Sequence, residues 1–277
     1  MPTVTAVTTE PPTSHEHFDE IRAGELAVTI ASSQRMIEAA QKLRYQIFYE
    51  EMGGTPPEDV ARQKRDFDEF DEYFDHLLVL DCERPKGPEQ VVGTYRLLRR
   101  DAMTALGHFY SETEFNITPI KQFKGQILEL GRSCVHPDYR NRAVMQLLWR
   151  GIGSYVSMHN IELMFGCASF PGVDPDKNAL GLSYLHHFHL APSSLRARAL
   201  EHMYVNMNRI PMDQLDVKEA FASLPPLIKG YLRLGGYIGD GAILDRQCNT
   251  TDVCVIVQTD LITEKYTQRY NPDVKPL

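Results

Sequence analysis

The sequence predicts an α/β fold of the α+β type, in which a mixed central sheet is flanked by helices. Strand-like runs alternate with helical segments along most of the 277 residues, which favours a sheet covered by helices. Several neighbouring strands are joined by loops too short to hold a helix, and such loops connect antiparallel strands. The chain is therefore expected to form a mixed sheet and not a doubly wound parallel one.

The composition is that of an ordinary globular protein, with 43% hydrophobic and 24% charged residues. No apolar run approaches the roughly 20 residues that a membrane-spanning helix needs. The N-terminus lacks the basic patch and the apolar stretch of a secretory signal, so a cytoplasmic protein is predicted. The net charge of −8 argues against general nucleic-acid binding, which depends on a basic surface.

The chain is predicted to hold one folded domain behind a leader. Residues 1–25 are rich in Thr, Pro and Glu and are expected to be disordered. Residues 26–277 are expected to form a single domain, with a C-terminal extension from about residue 210. The five cysteines are an odd number without a Cys-x-x-Cys pair, which predicts free thiols.

The first half of the chain shows one clear helical period. Apolar residues recur at helical spacing within residues 34–52, and a sequence with two glycines and two prolines ends that helix. A charged segment over residues 62–75 follows. Strands are predicted at residues 27–30, 76–81 and 91–98.

The second half contains a strand that is stopped abruptly and followed by a helix. His136 and Pro137 end a strand that begins at Gln126, and the next helix carries an apolar stripe from Val144 to Val156. The remaining predicted elements are strands at 163–169, 241–245 and 252–257 and helices at 179–189 and 225–235.

The turn between that strand and that helix has the features of an anion site. A helix N-terminus offers unpaired N–H groups and a partial positive charge, which should disfavour nearby cations. Arg140, Asn141 and Arg142 stand at this end, which makes sense if an anion joins them there. The alternative is a pair of solvated surface arginines.

This segment resembles the acyl-donor motif of the GNAT acyltransferase superfamily, and the resemblance implies a GNAT-like fold. Val135, Pro137 and Arg140 match the motif, whereas Ala143 and Met145 occupy its two glycine positions. Met145 should narrow the space for the diphosphate of coenzyme A. The difference favours the phosphopantetheine arm of an acyl carrier protein, which carries one phosphodiester.

Further motifs resemble acyl-homoserine-lactone synthases, although the acidic spacing differs by one and Gly131 replaces a serine. The longer runs that carry a further resemblance are VVGTYRLLRRD, ELGRSC, LPPLIKGYLRLG and the late DRQ and TTDV sequences. With these runs the chain is similar to the L-ornithine N-alpha-acyltransferase family from about Arg35 to Val257. The matching positions of the synthase set are Arg44, Phe48, Glu69, Asp71, Asp75, Arg96, Glu129 and Arg132.

The resemblance implies the activity. It implies transfer of a 3-hydroxyacyl group from acyl carrier protein to the α-amine of L-ornithine, giving lyso-ornithine lipid. No bound cofactor is implied beyond the phosphopantetheine arm of the carrier. Because the product would be an amphiphile, peripheral contact with the inner leaflet of the membrane is compatible with this function.

Residue roles follow from what thioester aminolysis requires. Glu129 is the candidate base, with a structural ion pair as the equal alternative. In a regular strand Glu129 and Arg132 face opposite sides of the sheet, so a bulge near Gly131 is predicted. The resemblance also implies that this strand separates from its neighbour. The backbone N–H groups freed by that separation would stabilise the oxyanion.

The two ends of the acceptor have their own candidate residues. Asp71 and Asp75 are four residues apart and would share one face of a helix, where they could hold the δ-ammonium. The alternative for this run is a solvated charged face. Arg96 or Arg44 is the candidate for the carboxylate.

No metal site is predicted, because His186, His187 and His189 have no Glu or Cys at zinc spacing. Three rival functions stay open: an acetyl-CoA-dependent N-acetyltransferase, a lactone-forming autoinducer synthase, and a non-catalytic hemolysin-like protein that binds an acyl carrier or a membrane. Met145 and Ala143 count against the first, and the long C-terminal third against the second.

Overall fold

The computed structural model describes residues 18–261. The first 17 residues of the predicted leader lie outside the described residues, as do residues 262–277 of the predicted domain. Residues 18–25 of the predicted leader are part of the fold, because strand β1 (Ile21–Ala23) pairs with strand β2 (Leu26–Ile30). Phe18 is already buried in the core.

Within the described residues, ten strands form one sheet in the order β1-β2-β3-β4-β6-β7-β10-β9-β8-β5. Neighbouring strands are antiparallel except for the pairs β6–β7 and β8–β9, so the predicted mixed sheet is confirmed. The remaining strands are β3 (Asp75–Asp81), β4 (Val91–Arg99), β5 (Phe115–Asn116), β6 (Gln126–Val135), β7 (Ile161–Pro171), β8 (Arg198–Ala199), β9 (Tyr237–Asp245) and β10 (Thr250–Gln258).

Helices cover both faces of the sheet, and a hydrophobic cluster lies on each side of it. None of the helices between residues 18 and 261 is both long and apolar enough to cross a bilayer. The α-helices are α1 (Gln34–Tyr45), α2 (Glu58–Gln63), α3 (Arg100–Leu106), α4 (Thr118–Lys121), α5 (Arg142–Met158), α6 (Ala179–Phe188), α7 (Val217–Ser223) and α8 (Pro226–Arg233).

Helix α1 extends as a π-helical turn over Gln46–Glu51, so the helix predicted over residues 34–52 is confirmed. Helix α5 buries its apolar stripe against β2 and β3. Its Gly151 lies so close to the sheet that an added Cβ would stand 2.7 Å from Val28. Only a glycine allows this separation between helix and sheet.

The C-terminal part of the chain is integral to the sheet and is not appended to it. Strand β10 pairs with β7 from Thr250↔Pro171 to Gln258↔Leu163, and β9 pairs with its other edge. The predicted extension from about residue 210 therefore supplies two neighbouring strands of the sheet.

Strands β6 and β7 separate in the middle of the sheet. Their parallel pairing ends at Glu129↔Phe165, while β6 stays with β4 as far as Val135 and β7 stays with β10 as far as Pro171. Gly166 marks the point of separation, where an added Cβ would lie 2.0 Å from the carbonyl oxygen of Leu130. The splay that the resemblance implied is present.

The predicted bulge is present on the other edge of β6. The β4–β6 register shifts between Thr94 and Arg96, and Arg96 pairs with Gly131. Arg132 has a φ of 50°, which is uncommon for a residue with a side chain. This left-handed backbone lets Glu129 and Arg132 contact one cavity.

Candidate active site

A cavity of about 480 Å³ occupies the gap between the separated strands. One wall is formed by residues 129–135 of β6 and the facing wall by residues 167–169 of β7. Further lining comes from Arg96 on β4, Met145 on α5, and residues 225–227 at the start of α8. Asp245, Cys248, Thr250 and Asp252 of the β9–β10 hairpin complete it.

Glu129 is buried at the point where β6 leaves β7. Its Oε2 accepts a hydrogen bond from the backbone N–H of Tyr110 (2.9 Å), and its Oε1 accepts from the backbone N–H of Ser111 (2.6 Å) and from the Ser111 hydroxyl. Burial raises the pKa of Glu129 to about 7, although the hydrogen bonds from Ser111 and Tyr110 oppose the rise. A carboxyl with this pKa can take up a proton near neutral pH.

Arg132 lies beside Glu129 on the same wall of the cavity. Its Nη1 donates to Cys248 Sγ at 3.2 Å, and its guanidinium lies 3.7 Å from Asp66 and 3.8 Å from Asp68. Burial is the largest single effect and would lower the pKa of Arg132, but the charges around it, with Asp66 first among them and Asp68 also contributing, together raise it. The residue therefore keeps its positive charge in the cavity.

Arg44 lies behind the cavity and is fully buried, so the structure does not favour it over Arg96 as the predicted ligand of the acceptor carboxylate. Its guanidinium pairs with Asp66 at 2.7 Å and with Asp71 at 2.9 Å, and neither Arg44 nor these acids line the cavity. Burial opposes the charge, but Asp66 and Asp71 hold the pKa of Arg44 above its usual value. These ion pairs join helix α1 to the segment that carries Asp66 and Asp71.

Arg96 is the predicted carboxylate ligand that does reach the cavity. Its Nη1 contacts Asp68 at 2.6 Å and Asp71 at 3.1 Å. Its Nε makes no hydrogen bond, although the side chain is buried. An unpartnered donor of this kind is costly unless a ligand or water satisfies it.

Asp71 and Asp75 do not share a helical face, because the charged segment folds as turns up to the start of β3. Asp71 is held between Arg44 and Arg96, whose charges outweigh burial and lower its pKa. Asp75 is the first residue of β3 and accepts a hydrogen bond from the hydroxyl of Tyr155. Neither residue lines the cavity, so this arrangement does not support their predicted contact with an ammonium group.

The predicted anion site has the expected strand, turn and helix start, but its side chains bind other protein groups. Arg140 lines the mouth of the cavity, donates from Nε to the Val135 carbonyl, and forms a two-pronged ion pair with Glu51. The Asn141 side chain caps α5 by accepting from the N–H groups of Ala143 and Val144. Arg142 is exposed at the first turn of the helix. Asn141 therefore bonds to two of the helix N–H groups that were predicted to bind a phosphate.

Sequence comparisons agree with this arrangement. Residues 43–150 match the Acetyltransferase (GNAT) domain. The chain is 44% identical to an L-ornithine N(alpha)-acyltransferase from Agrobacterium fabrum over 261 residues, covering 92% of this chain and 88% of that protein. It is 46% identical to another from Brucella abortus, with 91% of each chain covered. The chain belongs to the L-ornithine N(alpha)-acyltransferase family.

Solved structures with a similar fold include the AHL synthase LasI, with a TM-score of 0.48 and 12% identity over 91% of this chain and 98% of that chain. Another is FeeM, an N-acyl amino acid synthase from uncultured soil microbes, with a TM-score of 0.46 and 11% identity over 87% of this chain and 97% of that one.

Several site residues of this L-ornithine N(alpha)-acyltransferase family member were missed by sequence reasoning. Ser111 and Tyr110 come from a 3₁₀ turn without periodicity, so no signal marked them. Asp66, which lies beside the guanidinium of Arg132, is one of several acidic residues in the charged segment, and spacing did not distinguish it from the others. Asp245 and Asp252 stand in the DRQ and TTDV runs that carried the family resemblance, and this was the available signal.

Two of the three histidines at positions 186, 187 and 189 of the family member make polar contacts within the fold. His187 Nε2 lies 2.9 Å from the Ile210 carbonyl oxygen, and His189 Nε2 lies 3.3 Å from the Tyr184 hydroxyl.

Burial raises the pKa of Cys134 to about 12, so its thiol is not poised as a nucleophile. Within residues 18–261, Glu114, Asp245 and Asp252 form the one group of three whose oxygens lie within 4.8 Å of one another.

Proposed function

We propose that this chain transfers a 3-hydroxyacyl group from the phosphopantetheine thioester of acyl carrier protein to the α-amine of L-ornithine, giving lyso-ornithine lipid. The observation that carries the proposal is the buried carboxyl of Glu129, with a pKa of about 7, at the point where two strands open into a cavity. Membership of a family whose relatives are named for ornithine supports the acceptor.

The chemistry follows from the groups present. The neutral α-amine attacks the thioester carbonyl, the C–N bond forms, and the C–S bond breaks. Glu129 accepts the proton that the amine loses, and a proton returns to the departing thiolate. An α-amine titrates near 8, so a base with a pKa of about 7 is adequate.

The strand separation supports thioester binding. Where β6 and β7 no longer pair, a peptide-like pantetheine arm finds main-chain groups that are free to bond with it. N–H groups of this kind also suit the oxyanion that forms at the carbonyl. Apolar side chains accommodate the acyl chain, and these are Ile47, Phe48, Leu130, Val135, Met145 and Leu227.

The mouth of the cavity supports a carrier protein as donor. Arg140 lies at this mouth and the exposed Arg142 follows at the start of α5, where a phosphodiester would be bound. Met145 occupies lining space where the superfamily motif has glycine, which disfavours the larger diphosphate of coenzyme A. The proposed reaction is compatible with a cytoplasmic enzyme, and its amphiphilic product favours peripheral contact with the inner leaflet.

The test uses purified full-length protein with labelled ornithine and either 3-hydroxyacyl-carrier protein, the matching acyl-CoA, or acetyl-CoA. The expected result is a labelled lipid with the carrier protein, and tandem mass spectrometry places the acyl group on the α-nitrogen. Glu129→Gln should lower kcat by about 10²–10⁴-fold, while Glu219→Gln, an exposed control on α7, should not. Acetyl transfer without a lipid product would support the acetyltransferase rival and overturn the proposal.

A further inference from the structure

The end of the cavity formed by the β9–β10 hairpin is strongly acidic. Asp245 and Asp252 line the cavity, and Glu114 lies behind them. The three carboxyl groups place oxygens within 4.8 Å of one another. None of the three takes part in the proposed acyl-transfer step.

These carboxyl groups have no compensating cation. Within the described part of the chain, none of the three forms an ion pair with a lysine or arginine. Glu114 accepts from Cys167 Sγ (3.0 Å) and Tyr110 hydroxyl (3.2 Å), and Asp245 accepts from the N–H of Cys248 (2.9 Å). Oδ1 of the buried Asp252 makes no hydrogen bond. Burying unpaired carboxylates together is unfavourable unless a cation joins them.

The titration behaviour agrees with this geometry. Burial, followed by the charge of Asp252, raises the pKa of Glu114 to about 8. Burial raises the pKa of Asp252 to about 6, although the nearby hydroxyls of Ser169 and Thr250 oppose the rise. The charge of Arg132 also opposes it, but that guanidinium already lies beside Asp66 and Asp68.

A side chain with one unsatisfied hydrogen-bond donor lies on the opposite side of the cavity. Arg96 is 1% exposed, lines the cavity, and has no hydrogen bond at Nε. The strand order is β4-β6-β7-β10-β9, so Glu129 on β6 stands between Arg96 on β4 and Asp252 on β10. Ser111 connects the two regions, because it donates to Glu129 and its hydroxyl lies 3.8 Å from the Cys167 thiol beside Glu114.

We infer that Asp252, Asp245 and Glu114 bind the side-chain ammonium of the acceptor and thereby select a diamino acid. Arg96 binds the α-carboxylate of the same molecule, and its α-amine then lies beside Glu129. The inference rests on the proposed function and adds the residues that determine acceptor specificity. It replaces Asp71 and Asp75, which the structure assigns to Arg44, Arg96 and Tyr155.

An ammonium group fits this site better than a divalent metal does. Only Asp245 and Asp252 face the cavity, whereas Glu114 is occupied by the Tyr110 hydroxyl and the Cys167 thiol. A hard cation requires six or more oxygen ligands in most sites. An ammonium donates three hydrogen bonds, and the carboxyl oxygens of Asp245 and Asp252 can accept them, with Glu114 behind these two residues.

The test compares ornithine with norvaline, which has the same carbon skeleton without the terminal amine. With 3-hydroxyacyl-carrier protein, the native enzyme should show a kcat/KM at least about 100-fold higher for ornithine. Asp252→Asn and Asp245→Asn should each reduce this ratio by about tenfold or more. The matched control is Asp240→Asn on the same strand β9, where Asp240 pairs with Arg198 outside the cavity, and the ratio should persist.

The outcomes are separable from those of the proposed function. An equal loss for both acceptors, or an unchanged ratio, would overturn the inference while leaving acyl transfer to ornithine intact. Loss of discrimination in a chelator with recovery on adding Mg²⁺ or Ca²⁺ would overturn it in favour of a metal. If neither acceptor is acylated, the proposed function fails. Calorimetric binding of ornithine and norvaline to the native and Asp252→Asn proteins then decides the inference alone.

Discussion

Ser111 donates two hydrogen bonds to one oxygen of Glu129, one from its backbone N–H and one from its hydroxyl. The backbone bond survives substitution, whereas the hydroxyl bond does not. Both stabilise the charged form of the carboxyl and oppose the effect of burial. Ser111 therefore positions the base and tunes its pKa.

Ser111→Ala should raise the pKa of Glu129 further. If Glu129 is the base as proposed, activity requires its ionised carboxylate, and kcat/KM is expected to rise as the pH rises through about 7 in the native protein. Loss of one hydrogen bond to a charged group should move this acidic limb upward by about one pH unit. The measurement is a pH profile of kcat/KM. Thr113→Ala, in the same turn but exposed, is the control and should not shift the limb.

Arg140 must leave Glu51 in order to bind a donor phosphate. Arg140→Ala should raise the KM for acyl-carrier protein by about tenfold, with a smaller change in kcat, because it removes a charge-assisted contact. Glu51→Gln should lower that KM, because Arg140 is then released. Steady-state kinetics over a series of carrier concentrations measures both effects. Arg150→Ala, further along α5, serves as the control, and unchanged KM values in both variants would contradict a donor role for Arg140.

Arg44 is expected to matter for stability. Arg44→Met leaves the buried Asp66 and Asp71 without their main partner, which should lower the free energy of unfolding by about 3–5 kcal/mol. Urea denaturation followed by circular dichroism measures the change. Arg22→Ala removes an exposed ion pair and should cost less than about 1 kcal/mol. A stable Arg44→Met protein with a raised KM for ornithine would restore the acceptor role predicted from sequence.

Helices and strands could be predicted from the sequence where nearby residues determine their ends. The strand ending at His136-Pro137 and the helix capped by Asn141 lie where the pattern places them. The separation of β6 from β7 came from family resemblance, since no local signal at Gly166 shows that its Cα will approach the Leu130 carbonyl.

The acidic residues show the limit of sequence reasoning. Asp71 and Asp75 have helical spacing, but the buried guanidinium groups of Arg44 and Arg96 hold Asp71 in a turn. Those arginines come from α1 and β4, so the contact depends on tertiary structure. Asp245 and Asp252 become neighbours only through the hairpin pairing of β9 and β10. Spacing alone cannot identify such long-range contacts.

Gly166 is expected to be required for the separation of the two strands. Gly166→Ala would place a Cβ against a backbone carbonyl at 2.0 Å, so β6 or β7 must shift. The expected result is a loss of about 1–3 kcal/mol in stability together with a fall in kcat, because Glu129 lies at the same level of the sheet. Gly153→Ala on α5 meets open space and should be neutral or stabilising. Equal behaviour of the two variants would contradict this account.

Stability should fall as the pH rises from about 6.5 to about 8, because the folded-state pKa values of Asp252, Glu129 and Glu114 lie near 6, 7 and 8. Below about pH 6.5 the buried His76, whose pKa burial lowers to about 4, acts in the opposite direction. Within this window the folded state holds protons that the unfolded state has released, so increasing pH favours unfolding. Asp252→Asn removes one of these groups and should flatten the decline, leaving the variant more stable than the native protein at pH 8. Ornithine should reduce the decline in the native protein and have less effect on the variant. Chemical denaturation at pH 5, 6.5 and 8, with and without ornithine, measures these differences. A steeper decline in Asp252→Asn would show that Asp252 is a stabilising structural residue.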